Sequence, residues 1–176
     1  DRVLWSGAGT PQQLKQIREL GYLVGCYDIV QDVMDPAQFP NLPWKHPDWT
    51  TDAWPKDLMR DEKMVWVKGW EVDNKAGRRI PCGVLCDRQA LPYADKRIGE
   101  ELKTHPYEAR FMDTTTASPW RECYDPAHPM TRTDSRIWKM KLLELMSSKY
   151  KLVTGSETGH AAAVRRARFD RRARHP

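Results

Sequence analysis

Residues 3–28 read VLWSGAGTPQQLKQIRELGYLVGCYD, a strand, a helix and a second strand with almost nothing between them. Thr10 offers an N-cap oxygen, Pro11 suits the first helical position, and Leu14, Ile17 and Leu20 recur along one side. Gly21 supplies the C-terminal stop. The flanking runs 2–7 and 22–28 are strand-like, and the second is apolar on both faces, as a buried parallel strand is. The spacing therefore predicts a strand over 2–7, a helix over 11–20 and a strand over 22–28, which is a βαβ unit.

Downstream, residues 32–60 interrupt this rhythm with Pro36, Pro40, Pro43, Pro47 and Pro55 beside Trp44, Trp49 and Trp54. A flexible linker does not carry three tryptophans, so a long ordered excursion is expected. Runs 64–70 and 79–85 predict an inserted β-hairpin about the turn at 73–77. The alternation then resumes with a helix over 88–104, a strand over 108–113, a helix over 135–150, a strand over 151–157 and a helix starting near 160. Four βα units with long loops after the strands fit part of a (β/α)8 TIM barrel or a doubly wound sheet. No glycine-rich phosphate fingerprint follows any strand, which weakens the nucleotide-binding version.

Apolar residues make up 40% of the chain and charged residues 30%, the balance of a globular domain. No apolar run approaches the roughly 18 residues a membrane span needs, so no membrane is expected. The net charge of +5 equals the net charge of residues 165–176, RRARFDRRARHP, which hold six arginines and one aspartate. The body is thus neutral, a domain over 1–164 is followed by an Arg-rich tail, and no nucleic-acid partner is expected. The chain opens on Asp1 straight into an apolar run, as a piece of something longer would. Localisation is therefore not legible.

Four cysteines are present, at 26, 82, 86 and 123. Cys82 and Cys86 sit in a strand-like run, about 13 Å apart at the strand rise, too far for a disulfide or a zinc knuckle. Buried free thiols are expected, with no metal and no cofactor.

Two strands end alike. Ala109, Phe111 and Asp113 share one face, and Val153, Gly155 and Glu157 share another, so each strand puts a carboxylate at its C-terminal end. Barrel enzymes keep their chemistry there. On neighbouring strands, about 4.8 Å apart, the two carboxylates come within about 5–5.5 Å, the spacing of a retaining glycosidase. The plainer reading is that both acids cap strand ends or pair with arginine. Asp28 ends its own strand and is expected to bind sugar hydroxyls with Tyr27 beside it, or else to anchor a loop. Glu122, Tyr124, Asp125 and His128 follow the Asp113 strand and are placed to line a site. Glu122 and Asp125 could hold calcium, though the spacing does not demand it. Trp44, Trp49 and Trp54 would serve as a stacking wall for a pyranose or as packing.

The segments RFMDTTTASPWRECYDPAHPMTRTDSR (110–136) and LVTGSETGH (152–160) resemble glycoside hydrolase family 129, the α-N-acetylgalactosaminidases. That family is related to the endo-α-N-acetylgalactosaminidases of family 101. The likeness extends through VLWSGAGTP (3–11), YDIVQDVMDP (27–36) and HPDWTTDAWPKDLM (46–59) to about Val164. It implies a TIM-barrel catalytic domain, a retaining mechanism and a carbohydrate or glycoconjugate substrate, most simply an α-N-acetylgalactosaminide. Asp113 matches the nucleophile and Glu157 the general acid/base. Asp28, Tyr27, Trp49, Glu122, Tyr124 and His160 are the expected substrate contacts. Members of the family run several hundred residues, so the remainder of the barrel is expected as a partner in the parent protein. The rival expectations are a non-catalytic carbohydrate-binding module and an inactive truncated piece.

Overall fold

The computed structural model describes residues 3–7 and 9–158. Its main sheet has four parallel strands, β1 (Leu4–Ser6), β2 (Leu23–Asp28), β6 (Ala109–Met112) and β7 (Val153–Ser156), in the order β1-β2-β6-β7. The first two are joined by α1 (Pro11–Glu19). Thr10 caps α1 reciprocally: its hydroxyl accepts from the Gln13 amide at 3.3 Å, and Gln13 Oε1 accepts from the Thr10 amide at 2.9 Å. Of the predicted stripe Leu14 is fully buried, Ile17 is half-buried, and Leu20, just past the end of α1, is exposed.

Between β2 and β6 lies a second, antiparallel sheet of β3 (Asp32–Val33), β5 (Arg79–Val84) and β4 (Lys68–Asp73), in that order. It contains the expected hairpin, with β4 shifted toward the turn. Asn74 fixes that turn, its side-chain oxygen accepting from the Ala76 amide at 3.0 Å and the Arg78 amide at 2.9 Å. β3 adds a third strand that so short a stretch of sequence did not announce.

The helix α2 (Ala90–Glu101) is shorter than the predicted 88–104, because Asp87–Gln89 forms a separate tight turn. The helix α3 (Arg132–Glu144) starts three residues earlier than predicted. Thr131 and Asp134 explain it: the Asp134 amide donates to the Thr131 hydroxyl at 3.2 Å, and the Thr131 amide to the Asp134 carboxylate at 2.9 Å. The last predicted turn, Leu145–Lys149, is widened to a π-helix before Lys151 turns left-handed (φ 58°) into β7.

Register separates the faces of the main sheet. Gly25 pairs with Ala109 and Ala109 with Val153, while Tyr27 pairs with Phe111 and Phe111 with Gly155, so these odd-numbered residues lie on one face. Val24, Cys26, Asp28, Arg110 and Met112 lie on the other and are buried. Against that second face α2 and α3 contribute Ala94, Ile98, Leu142 and Met146 to one core with Met112. The first face carries Leu4, Tyr27 and Val153, each more than two-fifths exposed. Helices on one side and a partly open apolar face on the other are what a section of barrel wall presents. Among the described residues no helix is long and apolar enough to cross a membrane.

Candidate active site

The strands β6 and β7 are neighbours, and Met112 pairs with Ser156, so Asp113 and Glu157 follow in register at the same end of the sheet. Both carboxylates lie on the face of Tyr27 and Phe111. The two rings stack at 5.9 Å between centroids and 17° between planes. The Tyr27 hydroxyl faces Asp113. Burial, then Asp113 as hydrogen-bonding partner and as a charge, push the Tyr27 phenol up from its ordinary value. Interaction with Asp113, as hydrogen-bonding partner first and as a like charge second, raises the Glu157 carboxyl above the usual range. A like charge nearby disfavours the ionised form of Glu157, which is the physical cause of that rise.

Residues that sequence reasoning passed over hold the pair in place. The Ser156 hydroxyl donates to the Met112 carbonyl at 2.6 Å and accepts from the Thr116 amide at 3.1 Å. The Thr116 hydroxyl donates to the Glu157 carbonyl. Thr114 and Thr158, directly after the two acids, both have left-handed backbones, at φ 58° and 39°. That conformation is costly for a β-branched residue and recurs where a site is held under constraint. The run Thr114-Thr115-Thr116 was the signal: three hydroxyls at a strand end supply local hydrogen bonds.

The other expected contacts are dispersed. Asp28 has no exposed surface, because even-numbered positions of β2 face the helices. Its carboxylate accepts from Arg110 Nε at 2.7 Å and pairs with Arg110 Nη2 at 2.6 Å and with Arg97 Nη1. It anchors the helix-facing side and is closed to a sugar. Trp49 is likewise buried, between Phe39 at 6.2 Å and Trp44 at 5.4 Å. Trp54 packs edge-on against Trp66 at 5.5 Å in the main core, so the three tryptophans form no single wall. The exposed indoles of that region are Trp44 and Trp70, 5.8 Å apart.

Glu122 and Tyr124 meet each other, the Tyr124 hydroxyl donating to Glu122 at 2.7 Å. They line an open cleft of ≈ 420 Å³ with Lys63, Trp120, Arg121 and Arg132, which none of Tyr27, Asp113 and Glu157 lines. Asp125 is taken by Arg60 at 3.2 Å and the Ala127 amide at 2.9 Å, and Glu122 also by Arg132 at 3.4 Å, so neither is left aimed at a shared cation. His160 and the Arg-rich tail lie outside the described residues.

The family model for glycosyl hydrolases related to the GH101 family, GH129, matches residues 4–173. The chain belongs to family GH129. No curated protein matches it. Among solved structures it is similar to the α-N-acetylgalactosaminidase NagBb from Bifidobacterium bifidum. With the Gal-NHAc-DNJ complex the TM-score is 0.69 at 21% identity, covering 88% of this chain and 22% of that one. The ligand-free enzyme gives 0.68, with the same identity and 23% of its length covered. The glycoside hydrolase domain of PelA from Pseudomonas aeruginosa follows at 0.56 and 13% identity, covering 96% of this chain and 63% of that one. This GH129 chain thus has the expected α/β class, a partial barrel wall, and spans less than a quarter of the NagBb structures it matches.

In this GH129 chain Asp113→Asn is expected to bring the Glu157 carboxyl back down toward the ordinary range of a glutamate, read by NMR titration of carbon-labelled glutamate. The raised group binds its proton more tightly in the folded than in the unfolded state. Its contribution to stability is complete below the ordinary value of a glutamate and is lost as pH rises through the folded value, a decline the substitution flattens. A Glu157 titration unmoved by Asp113→Asn would mean the two acids do not interact.

Proposed function

We propose that the protein carrying this chain is a retaining glycosidase acting on an α-N-acetylgalactosaminide or a closely related α-glycoside. The observation that carries this reading is the register that sets Asp113 and Glu157 side by side at the ends of neighbouring parallel strands in a GH129 chain, with Asp113 raising the Glu157 carboxyl. The structures of NagBb with GalNAc and with Gal-NHAc-DNJ support the choice of sugar.

Asp113 attacks the anomeric carbon, the bond from that carbon to the glycosidic oxygen breaks, and Glu157 gives its proton to the departing oxygen. The Asp113 charge holds that proton on Glu157 until the carboxylate is spent in the ester bond. With that charge gone, Glu157 becomes the more acidic partner suited to act as base. It then takes a proton from water, which attacks the same carbon and frees Asp113. Tyr27 stabilises the ionised nucleophile through its hydroxyl and offers its ring with Phe111 as an apolar floor.

The test uses the full-length protein with a panel of aryl α- and β-glycosides, following nitrophenol release. N-acetyl-α-galactosaminide is expected to be turned over fastest. Preference for a β-glycoside, or no release from any member by the folded protein, would refute the assignment.

A further inference from the structure

Away from the carboxylate pair, three soft ligand groups converge in the apolar core between the second sheet and the loop after Asp113. Cys86 follows β5, Cys123 and His128 lie in that loop, and all three are almost fully buried. One ligand atom from each lies within 4.8 Å of both others. Cys123 Sγ and His128 Nδ1 are 3.4 Å apart. Around a tetrahedral zinc ion, bond lengths near 2.3 Å to sulfur and 2.0–2.1 Å to nitrogen put two sulfurs about 3.8 Å and a sulfur and nitrogen about 3.6 Å apart. The cluster is already at that scale.

His128 is oriented for it. Its Nε2 lies 3.0 Å from the Lys56 carbonyl, which can only accept, so Nε2 carries a proton and the neutral ring turns its Nδ1 lone pair toward Cys123. A backbone carbonyl behind the imidazole is the usual support of a metal-bound histidine. The loop is pinned as a small hairpin, with Cys123 and Met130 exchanging backbone hydrogen bonds at 2.8 and 3.0 Å. Met59, Val84 and Met130 wall the site with apolar surface. Thiols and imidazole select a thiophilic ion and disfavour calcium or magnesium.

We propose that Cys86, Cys123 and His128 bind a zinc ion that ties the loop following Asp113 to the end of the second sheet. Binding sends the two thiol protons to solvent and uses the Nδ1 lone pair, so no oxidant or reductant is involved. Three protein ligands leave one tetrahedral position for water. The sequence hid the site because Cys82, the cysteine nearest Cys86 in the chain, is too far along the strand to share an ion with it, and the actual neighbours come from a loop 37 and 42 residues later.

The full-length protein, purified under reducing conditions from zinc-supplemented medium, is assayed for metal by elemental mass spectrometry. About one equivalent of zinc is expected to be lost in Cys86→Ser and in Cys123→Ser and kept in Cys82→Ser, whose thiol is equally buried. Cobalt exchanged into the wild-type protein is expected to give a thiolate-to-cobalt charge-transfer band, a readout independent of how any variant folds. The proposal is overturned if reduced wild-type protein yields no such band. It is equally overturned if Cys82→Ser loses as much zinc as Cys86→Ser, or if Cys86 and Cys123 prove to be joined as a disulfide.

Discussion

Asp113→Asn in the full-length protein is expected to lower glycoside turnover by a factor of about 10⁴ or more, the scale on which enzymes lose a covalent nucleophile. Asn matches Asp in shape and still accepts the Tyr27 hydrogen bond, so the fold at the end of β6 is left intact. What it removes is the negative oxygen that attacks carbon. Glu157→Gln removes the proton donor and leaves the nucleophile, so its loss is smaller, about 10²–10⁴-fold, and shrinks for leaving groups that need no proton. Steady-state rates on an activated and an unactivated aryl glycoside distinguish the two roles. Equal, leaving-group-independent losses would show that the two acids act as one binding element rather than as nucleophile and acid.

The second large effect is on stability. Asp28 joins Arg97 and Arg110 in a buried group, and Arg110 Nη2 also meets Glu101 at 2.7 Å. Arg110 is 1% exposed, and its Nη1 has no hydrogen-bond partner among the described residues, so the guanidinium depends on the carboxylates for compensation. Asp28→Ala leaves the buried Arg110 guanidinium with Glu101 as its one carboxylate, and the half-buried Arg97 with Asp48 at 4.0 Å, the Ile29 carbonyl and the Thr50 hydroxyl. The expected cost is about 3–5 kcal/mol, that of breaking a buried ion pair from one side. Urea unfolding of the full-length protein measures it, and replacing Asp28 and Arg110 together by Leu and Met is expected to recover much of the loss. A cost below about 1 kcal/mol, the range of an exposed pair, would contradict the burial argument.

These two aspartates show what the sequence could and could not reveal. Helical and strand periodicity located α1, β2, β6 and β7, because Leu14 and the alternating strand residues report burial directly. Periodicity also put Asp113 and Glu157 at strand ends. It could not say that β6 lies beside β7, since strand order is set by long-range packing. Between the sugar contact and the anchor expected of Asp28 the register decides: Tyr27 is in register with Phe111, so Asp28 is in register with Met112 and faces the helices. Arg110 in an apolar strand was the available clue, because a cation there requires a buried anion nearby. Trp49 was misread because an aromatic suited to a sugar face is equally suited to stacking on Phe39 and Trp44. The widened last turn of α3 arises from a tertiary junction with β7 and has no local signal.

The most direct measurement is to trap the glycosyl-enzyme. Full-length protein would be incubated with a 5-fluoro glycosyl fluoride of its preferred sugar, digested, and its peptides mapped by mass spectrometry. The account predicts the sugar's mass on the Asp113 side chain, with none in Asp113→Asn. A label on any other residue, or hydrolysis of the probe with no covalent intermediate at all, would contradict it.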